Sequence, residues 1–354
     1  MKRIKYCVFA LLAMASFASC DDGLTDSVSM NVAVQTSDNV QVQGDVVTVK
    51  AGSPVVFNFA GDPDNISFYS GEDGSAYANK DRTQVDPNEI ESSTLHFKLW
   101  AQYGKAASAK DVLHMYVSDN FPGLDKNNFK ADSALVESFA WTDFEPKLVN
   151  AKTGEAATLP QAPVANANLA TEYTVNLSEY LGKTITFAFH YQGLDNSVNQ
   201  SRMNFSEFYI VNKMKNGNET TLYANNFGFT PINMMCHHNL SDQKGMTTNR
   251  EYGTMTNNTS GIWNMVSAGT GSFFIHSSAA KTGLKNSWLV SSNMIVNSCS
   301  PDQGLAVKNI GQSINTYTYT YNTPGEYKAT FIATNSNYKK ESRVIRELTI
   351  KVVE

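Results

Sequence analysis

The sequence predicts an all-β protein built from sandwiches. Three observations carry that expectation. Apolar residues recur at every second position in most patterned segments, convincing helical periodicity is nearly absent, and Asn, Gly, Ser, Thr and Asp fill the intervals. A period of two gives a strand one buried and one wetter side.

In chain order, Val28, Met30, Val32 and Val34 share one face. The turn Ala51-Gly52-Ser53-Pro54 leads into Val55, Phe57 and Phe59. Leu95, Phe97 and Leu99 alternate next, then Ile185, Phe187, Phe189 and Tyr191. Toward the end come Tyr317, Tyr319 and Tyr321, then Tyr327, Ala329, Phe331 and Ala333, and finally Leu348, Ile350 and Val352. Pro324-Gly325 supplies a tight turn before Tyr327, and Gly182 a tight reversal before Ile185. Ala107 to Val112 and Leu177 to Gly182 are each long enough for a single helical turn only.

The chain opens with Lys2, Arg3 and Lys5, an apolar run from Cys7 to Phe17, and then Ala18-Ser19-Cys20-Asp21-Asp22. A basic head, a short apolar middle and small residues before a boundary form a secretory signal peptide, expected over 1–19. Cys20 after the small residues resembles a bacterial lipobox, so lipidation is expected at Cys20, with 20–27 as anchor and tether. No later segment approaches the apolar length of a membrane span, and the membrane is expected to be reached through lipid only. Loss of the three basic leader residues takes the net charge from -5 to -8. A chain so acidic argues against nucleic acid as a partner. Of the remaining cysteines, Cys236 and Cys299 are open either to a disulfide, which export permits, or to two separate buried thiols.

The residues offer no catalytic motif. His237-His238 is the sole histidine pair and has no spaced partner for zinc. Neither HExxH nor GxSxG occurs. Acidic pairs such as Asp62/Asp64 and Asp143/Glu145 are not singled out by anything in the chain, so no enzyme is expected. No cofactor is expected beyond one structural calcium, for which Asp119, Asp125 and Asn127 flank the turn Phe121-Pro122-Gly123-Leu124.

Recognition of a sugar polymer needs flat apolar faces for rings and polar groups for hydroxyls. Trp263 is the first candidate, because Asn257 to Asn264 is polar and lacks strong alternation. Trp141 follows, on a strand face with Phe139 and Asp143. Trp100 shares a side with His96 and Lys98 opposite the apolar face of its strand, and Tyr103 lies three residues on. The competing reading is a structural or adhesive module that docks protein instead.

Three passages carry a resemblance. The first is Val55-Val56-Phe57-Asn58-Phe59 with Gly61, Asp62, Asp64, Asn65, Ile66, then Phe68-Tyr69-Ser70-Gly71-Glu72 and Tyr77. The second runs from Tyr173 through Leu177-Ser178-Glu179-Tyr180-Leu181-Gly182-Lys183 into Phe187-Ala188-Phe189-His190-Tyr191. The third is Ser287-Trp288-Leu289-Val290-Ser291, followed by Tyr319 to Tyr327, Phe331, Ala333 and Asn335. Together they resemble uncharacterised surface lipoproteins of Bacteroides-type bacteria. The resemblance implies an Ig-like, PKD-like sandwich (28–90 plus 303–354) interrupted by a larger jelly-roll β-sandwich (91–302) similar to choice-of-anchor and carbohydrate-binding modules. It implies an outer-membrane lipoprotein facing the cell exterior, with Asp21-Asp22 similar to an outward-export signal. The expected function is binding of a polysaccharide or oligosaccharide beside outer-membrane glycan importer proteins. The alternatives are adhesion or a structural protein-interaction role without glycan binding, and a glycan-active enzyme.

Overall fold

The computed structural model describes residues 27–234, Tyr252 and residues 262–354. The leader and Cys20 lie outside the described residues, as do Cys236, His237 and His238, so the lipidation and disulfide expectations lie outside them too. The chain folds as two compact units, one comprising the described residues up to Arg82 with Pro301–Glu354, the other Thr83–Ser300. Residues 83–85 belong to the second unit because the Val85 amide donates to the Asn297 carbonyl at 2.9 Å and Cys299 N to Thr83 O at 2.9 Å.

Strands are numbered in chain order. In the first unit the chain enters through β1 (Met30–Val34), β2 (Val40–Gln43), β3 (Val46–Lys50), β4 (Pro54–Gly61) and β5 (Asn65–Tyr69). In the second it runs through β6 (Ile90–Gln102), β7 (Leu113–Ser118), β8 (Thr142–Asp143), β9 (Val149–Asn150), β10 (Thr171–Asn176), β11 (Thr184–Gln192), β12 (Arg202–Met214) and β13 (Glu219–Tyr223). It continues there with β14 (Thr230–Asn233), β15 (Trp263–Asn264), β16 (Phe273–Ile275), β17 (Asn286–Val290) and β18 (Met294–Ile295). The first unit is completed by β19 (Leu305–Lys308), β20 (Thr316–Thr320), β21 (Gly325–Ser336) and β22 (Glu341–Val353).

The first unit packs a sheet β1-β4-β20 against a sheet β19-β5-β21-β22-β3-β2. Alternation decides which side chains meet between them. Phe57 from one sheet touches Phe68 and Phe331 from the other, with ring centroids 5.7 and 4.9 Å apart. Phe68 and Phe331 stack at 4.6 Å. Tyr321, also wholly buried, keeps its hydroxyl satisfied by donating to the Ser70 carbonyl at 3.0 Å.

The second unit is a larger sandwich. One sheet has the order β15-β16-β12-β6-β10-β9, with β13 on β12; the other has the order β14-β17-β11-β7-β8, with β18 on β11. The inward sides meet in one core, where Leu95, Phe97 and Leu99 of β6 join Phe187, Phe189 and Tyr191 of β11 and Phe205 of β12. The chain is thus an all-β sandwich protein, as its alternation predicts. Gly182 sits at φ 73, so the expected reversal before β11 uses a backbone conformation that a side chain strains.

Two local expectations change. Residues 129–138 form a helix, α1 (Phe129–Ser138), where no helical pattern is expected, and Trp141 follows it. Asn128 caps it by accepting from Ala131 N at 3.1 Å, and the buried Asp132 carboxylate accepts from the amides of Asp125 and Lys126 at 2.9 and 2.8 Å. The second change concerns β11, whose outward side is covered as well. Ala188, Trp288, Val290, Ile232, Phe121, Phe129 and Val136 form a second apolar layer there, so His190 meets packing rather than open solvent. No helix among the described residues is long and apolar enough to cross a membrane, which says nothing of strands.

Phe331 contacts Phe57, Phe59 and Phe68. Phe331→Ala is expected to destabilise the first unit by about 3–5 kcal/mol, the usual range for emptying a buried phenylalanine site. Urea unfolding followed by tyrosine fluorescence would check it; a loss under about 1 kcal/mol would contradict the packing described.

Candidate functional site

The outward side of the β15-β16-β12-β6 sheet carries an unusual row. Pairing sets Trp100 of β6 opposite Asn204 of β12, Asn204 opposite Phe274 of β16, and Phe274 opposite Asn264 of β15. Directly opposed residues share a face and stand about 5 Å apart. The next row, Ala101, Met203, Ile275 and Trp263, points inward and is wholly buried. The inward row fixes the outward one, because neighbours along a strand must alternate.

Around the outward row lies a recess of about 250 Å³, lined by Trp100, Arg202, Asn204, Phe274 and Asn264, with Ser206, Ser267 and Ser272 at its sides. The Arg202 guanidinium carbon lies 3.4 Å from the centre of the Phe274 ring. Arg202 has no carboxylate partner among the described residues, and burial holds its pKa below the usual value. Three donors at the recess are buried without a hydrogen-bond partner: Trp100 Nε1, Arg202 Nε and Asn204 Nδ2. Leaving such a group unpaired costs roughly 1–3 kcal/mol. All three belong to residues that line the recess, whereas Trp263 Nε1 and Trp288 Nε1, also buried without a partner, lie elsewhere in the sandwich.

Neighbouring elements hold this arrangement. Lys285 is wholly buried, and its Nζ donates to the carbonyls of Ser201 and His276 at 2.7 and 2.9 Å, tying the start of β12 to the end of β16. Beyond Ser206, β12 bulges: Glu207 adopts φ 51, and the Phe208 amide donates to Gly271 O at 2.9 Å. The bulge re-aims the strand so that Phe208 points inward and Glu207 reaches Lys98 at 2.6 Å. Further along the same face His96 stacks on Tyr209, ring centroids 5.3 Å apart.

The sequence candidates fall in different places. Trp100 lines the recess. Tyr103 is half exposed in the turn after β6, at φ 66, and its carbonyl accepts from Ser201 Oγ at 2.9 Å. It does not line the recess, but its phenol is near enough to act on Arg202. Trp263 is corrected: it is wholly buried among Phe189, Phe205 and Phe273, and offers no face to a ligand. Alternation places its neighbour Asn264 outward instead. For Trp141 the strand placement is corrected: it follows α1, is partly buried, packs its ring on Phe121 at 4.7 Å and against Phe139 and Trp288, and donates from Nε1 to Val136 O at 3.0 Å.

Asp119, Asp125 and Asn127 are exposed, and the carboxylate around which that loop is organised is Asp132, which accepts from Asp125 and Lys126 amides and from Tyr252 at 2.5 Å. Among the described residues no group of three or more His, Cys, Asp or Glu side chains converges to hold a metal. Sequence reasoning missed Arg202, Asn204 and Phe274. The signal was present in Arg202-Met203-Asn204-Phe205-Ser206, whose polar positions alternate strictly with apolar ones. The other recesses are less organised. One of about 530 Å³ is lined by Pro146, Lys147, Val149, Asn176, Ser178 and Glu179, and its lysine and glutamate pair with each other. Another, lined by Asn88, Glu89, Met214, Lys215 and Asn216, contains no aromatic ring.

The second sheet bears a cluster of its own. His190 lies flat on Trp288, centroids 4.0 Å apart and 7° between planes, and hydrogen-bonds Asn286 at 2.8 Å. Burial pushes its pKa down to about 4. Across the pair, His114 is 3.0 Å from Glu145, which raises its pKa. The profile of the family described as Domain of unknown function (DUF5017) matches residues 27–229, more than half of the chain. No curated protein matches the sequence.

The His190 shift has a sign that can be measured. Above pH 6.5 the imidazole is neutral folded or unfolded and contributes nothing. As pH falls toward 4 the unfolded chain takes up a proton that the folded site refuses, so stability drops by up to about 3 kcal/mol. His114 works oppositely, contributing fully below pH 6.5 and losing its contribution as pH rises through its folded value. Urea titrations of wild type and His190→Gln between pH 7 and 4.5 should therefore show the steeper acid loss in wild type; parallel curves would contradict the assignment.

Proposed function

Because the chain belongs to the DUF5017 family, whose description assigns no activity, we propose from the site that it is a glycan-binding protein, and that Trp100, Arg202, Asn204 and Phe274 form its binding recess. The observation that carries this reading is the juxtaposition of aromatic surface with unpartnered donors. A sugar ring presents an apolar face and a rim of hydroxyl oxygens. Trp100 and Phe274 offer area with few torsions to freeze, and the orphaned Trp100 Nε1, Arg202 Nε and Asn204 Nδ2 ask for oxygens. A volume of about 250 Å³ lies below the roughly 300–1,000 Å³ of sites for drug-sized ligands, which suits one sugar unit of a longer chain crossing the sheet. A protein-docking surface needs a broad apolar patch, whereas this recess is narrow and donor-rich. The reading includes no catalytic step.

The N-terminal sequence supports a location for this activity. A signal peptide over 1–19, lipid on Cys20 and the acidic pair Asp21-Asp22 fit a lipoprotein held on the outer face of an outer membrane. There a glycan-binding module would retain polysaccharide beside an importer. The PKD-like and jelly-roll assignments of the two sandwiches, and the tie to Bacteroides-type surface lipoproteins, belong to the same proposal.

Trp100→Ala is expected to weaken binding at least tenfold in affinity electrophoresis against a polysaccharide panel, while Trp141→Ala and wild type migrate alike. Retention of every polysaccharide by Trp100→Ala at wild-type strength would contradict the proposed recess.

A further inference from the structure

We propose that the recess selects an acidic sugar, with Arg202 receiving the carboxylate of a uronic-acid unit; this rests on the glycan-binding reading above. The recess is unbalanced. Its three orphaned atoms are all donors, and no aspartate or glutamate is among its lining residues. Asn264 Oδ1 accepts from Val266 N at 3.0 Å. Glu207, just beyond Ser206 on β12, pairs with Lys98. A neutral sugar brings hydroxyls that both donate and accept, and matches such a set only in part. A carboxylate brings acceptors alone.

Arg202 adds the charge. Its guanidinium is half-buried, carries no ion-pair partner among the described residues, and is held over Phe274 at 3.4 Å. A desolvated cation without a counter-ion gains more from an incoming anion than a solvated one does. The planar fork matches a planar carboxylate, and the recess contains this single full cation, which fits one negative charge rather than a phosphate's near two. Asn204, only 4% exposed, lies two residues along β12 on the same face as Arg202. The chain as a whole carries a net charge of -5, so attraction of a polyanion is not a bulk effect. Any preference for one must come from a local site.

The test compares two forms of one polymer on the purified wild-type protein: polygalacturonate, and the same polymer after chemical reduction of its carboxyl groups to the neutral sugar. Calorimetry or affinity electrophoresis is expected to show at least tenfold tighter binding of the acidic form. Arg202→Gln, with its thermal midpoint checked against wild type, is expected to abolish that preference by lowering binding of the acidic form to that of the reduced one. Equal binding of the two polymers by wild type would overturn the acidic-sugar inference and leave the glycan-binding reading standing. Tighter binding of a sulfated galactan than of polygalacturonate would overturn the carboxylate assignment. An unchanged preference in Arg202→Gln would overturn the role of Arg202. Failure to bind these or any other polysaccharide of the panel would instead overturn the glycan-binding reading itself.

Discussion

The register of β12 between β6 and β16 is the constraint on which the site depends. Met203 and Phe205 are drawn inward by the aromatic core, where Phe205 lies parallel to Phe273 with centroids 4.5 Å apart. Because side chains alternate, Arg202, Asn204 and Ser206 have no choice but the outward face. A slip of one residue would exchange the two sets, burying a guanidinium and an amide in the core and exposing two large apolar side chains. Hydrophobic burial, at roughly 1.5–3 kcal/mol for each large side chain, therefore sets the position of polar groups that contribute nothing to it.

The same constraint explains why unsatisfied donors persist. A β-sheet fixes backbone direction closely, and the Lys285 tie and the Glu207 bulge remove the remaining freedom at both ends of the recess. Buried orphan donors are uncommon in native folds. Here the cost is borne by a large aromatic core. On the second sheet Trp141 and Trp288 stack on each other, Trp141 also on Phe121 and Trp288 on Tyr116, and Trp288 is buried while Trp141 is partly so.

The fold class was legible because alternation is a local signal. Leu95, Phe97 and Leu99, or Phe187, Phe189 and Tyr191, announce their inward faces within five residues, and each set reaches the core as read. Trp100 was legible for the same reason, as the outward neighbour of Leu99. Trp263 was misread because its setting is polar while its strand, β15, spans two residues and shows no pattern. Only pairing with Ile275 reveals that it faces inward. Arg202 and Phe274 are far apart in sequence and meet through the register of two strands, which no single stretch records. The helix α1 escaped because its buried positions, Phe129, Asp132 and Val136, include a carboxylate that serves loop amides.

The proposed ligand site is the recess around Trp100, and not the other aromatic surface. The chain has four tryptophans, so its indole N–H signals report on four places at once. The decisive measurement is a nitrogen–proton NMR titration of the protein with an oligosaccharide that it binds, following those four signals after assignment by single substitutions. The Trp100 signal is expected to move because its ring lines the recess, while those of Trp141, Trp263 and Trp288 stay in place. A shift of Trp141 or Trp288 with Trp100 unmoved would contradict that expectation.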